Sequence, residues 1–447
     1  MRDWTPERVA AAAGATLAAP APGVALGPTG VSIDTRALVP GELFVGLRGH
    51  REDGGRFAAR AIEAGAWGVL ARSEHLAGLD GGGSVLLAAP DTLAALGALA
   101  REHRRALGAT VVAVTGSTGK TATKDILAAL FASSRPTVAS DRNLNTEIGV
   151  PLTILRAPAG TAALVLELAM RGAGQIAELT AICEPDAGVI VNVGPAHLER
   201  LGSLEAIAAA KGELLAGMRA GATAVVPARE RLLERHLRSD LRTLRFGEGG
   251  EVHLLRAGPE GVTFAVHDRS VTIEPGFRAA HLLTDLCAAL AAADALGVPI
   301  PERLNVAFAG LRGERVALPG GVTVVNDCYN ANPMSMRAAL DDLAATAPAR
   351  RVAVLGDMLE LGALEEERYH RELGEQASAA GVALLVTVGP RAAWAGETFA
   401  GEHLHAPDAS CAASLLQGRL RAGDTVLVKG SRGVALERVA TDLASGR

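Results

Sequence analysis

The chain has 447 residues, a net charge of -5, and a composition that is 49% apolar but only 3% aromatic. At roughly 150 residues per domain, that length suits about three domains, with cores built from Val, Leu, Ile and Ala. The negative charge, with no basic face evident from composition, argues against nucleic acid as a partner. No run approaches the ~18 consecutive apolar residues of a membrane span. The cysteines Cys183, Cys287, Cys328 and Cys411 are scattered and lack metal-site spacing, so a reduced, cytoplasmic protein is expected.

The Ala-rich stretch 9–21 follows Asp3, Glu7 and Arg8, which suits a domain helix better than a secretion signal. Short strand signals at 31–33, 43–45 and 68–70, with a Pro40-Gly41 turn, outline a small α/β unit over residues 1–90. An amphipathic helix over 92–105 leads into the next strand.

That strand, Val111-Val112-Ala113-Val114, runs into Thr115-Gly116-Ser117-Thr118-Gly119-Lys120-Thr121, and a helix is expected over 122–131. A buried strand, a Gly-marked turn and a helix N-terminus together make a phosphate cradle. Loop amides and the helix dipole face the anion, Lys120 reaches the terminal phosphates, and the Thr121 hydroxyl suits Mg²⁺. Val114 stands where the usual P-loop pattern has its first glycine. The polar run Asn143-Leu144-Asn145-Thr146-Glu147-Ile148-Gly149-Val150-Pro151 reads as a functional loop whose Asn and Thr can bond substrate without adding charge.

Strands follow at 163–168, 188–193 and 224–227, with a helix over 204–218 among them. This alternation predicts a mostly parallel sheet covered on both faces, with ligands beyond its C-terminal strand ends. Thr115, Glu167 and Asn192 lie at such ends. A carboxylate there suits Mg²⁺, although Glu167 reads equally as a solvated or capping residue. His197 is either structural or a ligand, and Lys211 by itself is a helix-surface lysine. A helix over 282–296 stops at Gly297 with Pro299 beyond, and a domain boundary is placed near 305.

The last third repeats the α/β pattern, with strands at 322–325, 351–355, 383–388 and 425–428 and a helix over 333–344. Asp327-Cys328-Tyr329-Asn330-Ala331-Asn332-Pro333 follows the first of these strands. Pro333 suits the first helical position and Asn332 its cap, but the cluster holds more polar groups than a cap needs. Lys429 and Arg432, set among small residues, suggest an anion site for phosphate or carboxylate. The run 365–367 of three glutamates reads as a solvated face.

In order and over nearly the whole chain, these segments resemble those of the Mur ligases, ATP-dependent amide-bond-forming enzymes of peptidoglycan synthesis. The resemblance is carried by SIDTR at 32–36, PGELFV at 40–45, the shortened P-loop TGSTGKT, NLNTEIGVPLT, GPAHLERLGSLEAIAAAKGELL, NDCYNANPMSM, LGDMLELG and LVKGSRG. NDCYNANP and LGDMLELG point to the member that adds D-Ala-D-Ala; the Asn-Pro-Arg segment of the diaminopimelate- or lysine-adding member is absent.

The resemblance implies a three-domain α/β fold: residues 1–90 binding the UDP substrate, a central P-loop-type sheet over 91–305, and a Rossmann-like domain over 306–447 closing over ATP and dipeptide. It implies UDP-N-acetylmuramoyl-tripeptide and D-Ala-D-Ala as substrates, ATP with two Mg²⁺, and a monomer. Ser32, Asp34 and Arg36 would bind the UDP substrate. Thr115 through Thr121, Asn145, Arg315 and Asp327 would bind ATP. Asn143, Thr146, Asn330, Asn332, Lys429 and Arg432 would contact the other substrates. Thr121, Glu167 and His197 would hold metal, together with Lys211 as its carbamate; Lys120, His197 and Lys211 would be catalytic. Two positions depart from the family pattern. The usual His-Asn-x-x-Asn reads His281-Leu282-Leu283-Thr284-Asp285, and Gly55 stands where a His commonly follows Asp-Gly. The alternatives are a Mur-type ligase adding a single amino acid, a folylpolyglutamate-type ligase, or a non-catalytic nucleotide-binding protein.

Overall fold

Short apolar runs separated by helices become the strands of three sheets in the computed structural model, which describes residues 1–18, 24 and 26–445. The first sheet has five strands, in the order Thr16–Leu17, Val85–Ala88, Gly68–Ala71, Leu43–Val45, Val31–Ser32. Its first pair is antiparallel and the rest are parallel. The N-terminal helix is shorter than expected, Pro6–Ala13, because Gly14 turns left-handed at φ 61° and ends it. Residues 19–21 of the expected span lie outside the described residues.

The second sheet has ten strands. Thr110–Thr115 lies at its heart between Ala163–Glu167 and Ala187–Ile190, all three parallel. Strand Thr223–Pro227 continues the parallel run to Arg242–Phe246. The sheet then changes character. Val252–Gly258, Gly261–Val266 and Arg269–Pro275 form an antiparallel meander that sequence analysis did not foresee. Helix Ala280–Ala295 buries its run of alanines and leucines against the strands and against helix Lys120–Ala132.

The third sheet has six strands, in the order Glu314–Leu318, Val322–Asn326, Thr425–Lys429, Arg351–Gly356, Val382–Val388, Glu402–Ala406. Only its first pair is antiparallel, and helices cover both faces, the Rossmann-like arrangement expected. Helix Thr92–Leu107 joins the first two sheets: one continuous core runs from Val9, Leu43 and Leu87 through Leu96 and Leu99 to Val111 and Leu164. No helix among the described residues is long and apolar enough to cross a membrane.

Candidate functional site

All but the first residue of strand Thr110–Thr115 are buried, and the chain leaves the sheet at Gly116. It enters helix Lys120–Ala132 through Gly119 at φ 77°. Glycine is required there twice over. L-residues rarely take that backbone, and a Cβ would lie 2.6 Å from a carboxylate oxygen of Asp285.

Asn192, at the end of the neighbouring strand, braces the loop. Its Oδ1 accepts from the Ser117 and Thr118 amides at 3.1 and 3.0 Å, and its Nδ2 donates to Thr118 O at 3.1 Å. The Ser117 hydroxyl donates to Gly194 O and accepts from Gly194 N, both at 2.9 Å. Lys120 Nζ rests on Gly116 O at 2.8 Å. Burial lowers its pKa, opposed by Glu167 and assisted by Arg312.

Glu167 is buried, with both oxygens spoken for. Thr121 Oγ1 donates to one at 2.7 Å and Asn145 Nδ2 to the other at 2.8 Å. Thus three segments far apart in sequence meet at one carboxylate. Thr115 Oγ1, beneath the loop, is buried without a hydrogen-bond partner among the described residues.

A cavity of about 810 Å³ opens in front of this loop. Ser117 through Thr121, Asn143, Asn145, Thr146, Glu167 and His197 line one side; Asp327, Asn330, Asn332 and Lys429 of the third sheet line the other. The two walls touch. Asn332 Nδ2 donates to Ser117 O at 3.4 Å, and His197 Nδ1 lies 2.5 Å from Glu360 Oε2. Gly194 faces Met334 so closely that a Cβ on it would meet the Met334 Sδ at 1.8 Å. Burial lowers the pKa of His197, with Glu360 opposing.

Other expected residues are placed differently. Lys429 is buried, its ammonium shared by Asp327 Oδ2 at 2.7 Å, Asn330 O at 3.0 Å and Asp327 O at 3.3 Å. It braces the Asp327–Asn330 loop rather than standing free for an anion. Arg432 points outward to Glu437 at 3.3 Å. Arg315 pairs with Asp342 at 3.1 Å and the Thr346 hydroxyl at 2.5 Å, off the cavity wall. On the third-sheet side the wall carries Arg312 instead, stacked 3.9 Å over Tyr329, its Nε buried without a partner among the described residues. Sequence reasoning missed it, since two arginines three apart beside a turn carry no signal of which faces inward.

Ser32, Asp34 and Arg36 form their own cluster away from this cavity. Asp34 accepts from Arg36 Nη2 at 2.7 Å, and that contact holds its pKa down at about 2. Lys211 is fully buried on helix Leu204–Gly217 and is not among the residues that line the cavity. It has no ion pair or hydrogen bond among the described residues. Burial, then the charge of Lys120, pushes its pKa well below the usual lysine range.

At the altered 281–285 segment, His281, Leu282, Thr284 and Asp285 all line the cavity. Asp285 is buried against Gly119, and desolvation raises its pKa to about 8. Gly55 packs against Gly46 and the His75 ring, where a Cβ would come within 2.3 Å of the imidazole.

The residues can hold a divalent cation: one buried carboxylate, one hydroxyl and one imidazole are hard or borderline donors. No cluster of three or more His, Cys, Asp or Glu in metal-binding reach occurs among the described residues. The set therefore suits an ion whose remaining positions are filled by ligand oxygens, as phosphates do for Mg²⁺.

Comparison with known proteins agrees with this architecture. The Mur ligase family catalytic domain matches residues 28–104, the Mur ligase middle domain residues 114–293, and the Mur ligase glutamate ligase domain residues 311–432. The UDP-N-acetylmuramoyl-tripeptide–D-alanyl-D-alanine ligase of Bacillus subtilis is 34% identical over 93% of both chains. That of Escherichia coli is 36% identical over 92% of both. The crystal structure of the MurF ligase from Thermotoga maritima in complex with ADP superposes with a TM-score of 0.83 at 31% identity, covering 93% of this chain and 97% of that one. MurF from Acinetobacter baumannii gives 0.87 at 27% identity over 99% of each. With three family domains in chain order and relatives aligned almost end to end, the chain belongs to the Mur ligase family.

Proposed function

We propose that this chain joins D-alanyl-D-alanine to UDP-N-acetylmuramoyl-tripeptide, converting ATP to ADP and phosphate. The carrying observation is one cavity walled by the phosphate loop on one side and by Tyr329, Asn330 and Asn332 on the other. The end-to-end likeness to ligases named for this reaction supports it. We take residues 1–90 as the unit for the UDP substrate, 91–305 as the ATP unit and 306–447 as the closing unit, working in the cytoplasm.

Chemically, the tripeptide carboxylate attacks the γ-phosphorus and ADP leaves. The acyl phosphate formed is a far better acylating agent than a carboxylate. The dipeptide amine, unprotonated, then attacks the acyl carbon; phosphate departs and the amine nitrogen loses a proton. Loop amides and Lys120 hold the phosphates in line, and Lys120 and Arg312 carry charge to where phosphoryl oxygens become more negative. Arg312 takes the task that the resemblance gave to Arg315. Mg²⁺, held by Thr121, Glu167 and His197, would neutralise phosphoryl charge as a Lewis acid.

Lys211 suits carbamylation. Its neutral amine can attack CO₂, forming the N–C bond and releasing a proton. The product is an anion beside Lys120, able to hold a second ion. Closure of the two walls excludes water from the acyl phosphate and sets the amine against it.

The test is phosphate release with matched acceptors. Turnover should require both UDP-tripeptide and D-Ala-D-Ala. Equal turnover with a single amino acid would reassign the chain to another step of the family.

A further inference from the structure

His197, on the cavity wall, and Glu360, on the loop after strand Arg351–Gly356 of the third sheet, lie 163 positions apart in sequence, with Nδ1 and Oε2 2.5 Å apart. Both are non-glycine residues in the left-handed backbone region, His197 at φ 60° and Glu360 at φ 64°. Such a conformation is costly for residues with a Cβ and persists only where surroundings impose it. Here two of them meet.

The contact is built from both sides. Glu199 N donates to Glu360 O at 3.2 Å, and Gly362, at φ 81°, packs on the Glu199 backbone. The loop carrying Glu360 is anchored within its own domain. Met358 N donates to His370 Nε2 and Leu359 N to Ser431 Oγ, both at 2.9 Å, and the Leu361 side chain is buried. An ordinary surface ion pair contributes little and needs neither strained backbones nor an anchored loop.

We propose that Glu360 is a positioning residue for His197, by which docking of the C-terminal sheet orients the imidazole. An ionised carboxylate only accepts, so the proton sits on Nδ1 and Nε2 is left with the lone pair. Donation of the second ring nitrogen to a carboxylate is how proteins orient metal-bound histidines. The carboxylate here comes from the loop after strand Arg351–Gly356, on the far side of the contact, so the ligand is fully aimed only in the closed arrangement. An open enzyme would then hold the ion loosely, and closure would complete its site. The inference rests on the reading of His197 as a ligand.

The test measures Mn²⁺ affinity by electron paramagnetic resonance in the presence of ADP, on the full-length protein. Glu360→Gln should weaken Mn²⁺ binding roughly 10- to 100-fold, leave ADP affinity in EDTA unchanged, and add nothing in a His197→Ala background. Glu360→Asn, which tolerates the left-handed backbone but is too short to reach the ring, should behave the same and controls for folding. Wild-type Mn²⁺ affinity in both Glu360 variants, with weakened binding in His197→Ala, would overturn the positioning role while leaving His197 a ligand. Additive losses in the double variant would overturn it too. Unchanged Mn²⁺ affinity in His197→Ala would remove the ligand reading and this inference together.

Discussion

A lysine buried without a counter-charge must lose its proton or acquire a partner. Lys211 has no acidic partner among the described residues and lies near a second ammonium, that of Lys120. The carbamate proposed above would supply that partner, an anion beside the Lys120 ammonium in place of a neutral buried amine. The intact protein, handled in bicarbonate, should carry the added mass of one CO₂ at Lys211. Lys211→Ala should lose at least about 100-fold in kcat, the scale of losing a group that orders phosphoryl transfer, and short carboxylates should restore part of it. An unmodified lysine together with no rescue would dismiss the carbamate.

Asp285 presents the opposite problem, an acid kept neutral by burial. Its pKa rises from the ordinary 3.8 to about 8, desolvation outweighing the Thr123 hydroxyl. Between those values the folded protein holds a proton that the unfolded chain has released, so stability contributed here falls as pH rises through the window. Asp285→Asn preserves shape without a charge to bury. It should therefore match the wild type near pH 4 and exceed it increasingly up to pH 8, by an amount on the order of a few kcal/mol. Thermal melts across pH check this; a pH-independent offset would mean that the carboxyl does not titrate in that window.

At the scale of elements, helix Pro333–Thr346 shows how one residue serves two purposes. Asn332 Oδ1 accepts from Ser335 N at 2.9 Å and the Ser335 hydroxyl accepts from Asn332 N at 3.0 Å, a reciprocal cap, while Asn332 Nδ2 reaches Ser117 O across the cavity. Asn332→Asp keeps the cap acceptor and deletes the donor. It should hold its melting temperature yet lose activity. Asn332→Ala should lose both, at about 1 kcal/mol for the cap. Melting curves alongside phosphate release separate the two; equal activity of the Asp variant and the wild type would show that the amide has no role at the phosphate loop.

Elements whose apolar run is buried on both faces were legible almost to the residue. Strand Arg351–Gly356 and helix Leu204–Gly217 each extend within a residue or two of the sequence reading. The meander from Val252 to Pro275 was not legible. Leu254 and Leu255 are exposed, so its first strand carries little alternation, and it is held by ladder bonds that composition does not display. The site divides the same way. The phosphate loop announces itself locally, whereas Arg312 gains meaning only from its place on the cavity wall and Glu360 only from its contact with His197.

Movement of the whole molecule must pass through the chain segment between the second and third sheets. Among the described residues, a bond ties that segment to helix Lys120–Ala132: Ala309 N donates to Asp125 Oδ2 at 3.0 Å. Just beyond it, Leu311 and Gly313 take positive φ of 63° and 70°, a bend that fixes the direction in which Arg312 leaves the backbone. The other Asp125 oxygen pairs with Lys124, and both side chains are nearly buried. Removing only the carboxylate would strand a buried ammonium, which typically costs about 3–5 kcal/mol, and would confuse hinge effects with folding. Two double variants avoid that. Lys124→Met with Asp125→Asn retains an acceptor for Ala309 N, while Lys124→Met with Asp125→Ala does not. Both should fold, differing by roughly 1–3 kcal/mol for the unsatisfied amide. The Ala variant should exchange the Ala309 amide faster and be cut sooner by protease between residues 305 and 313. Its kcat should also fall further, because a loosened hinge delivers Arg312 and the Asn330 loop to the phosphate site less reproducibly. Equal exchange, cleavage and turnover in the two pairs would show that the segment keeps its direction without Asp125, and that the guide for closure lies in the contacts at Ser117 and His197 alone.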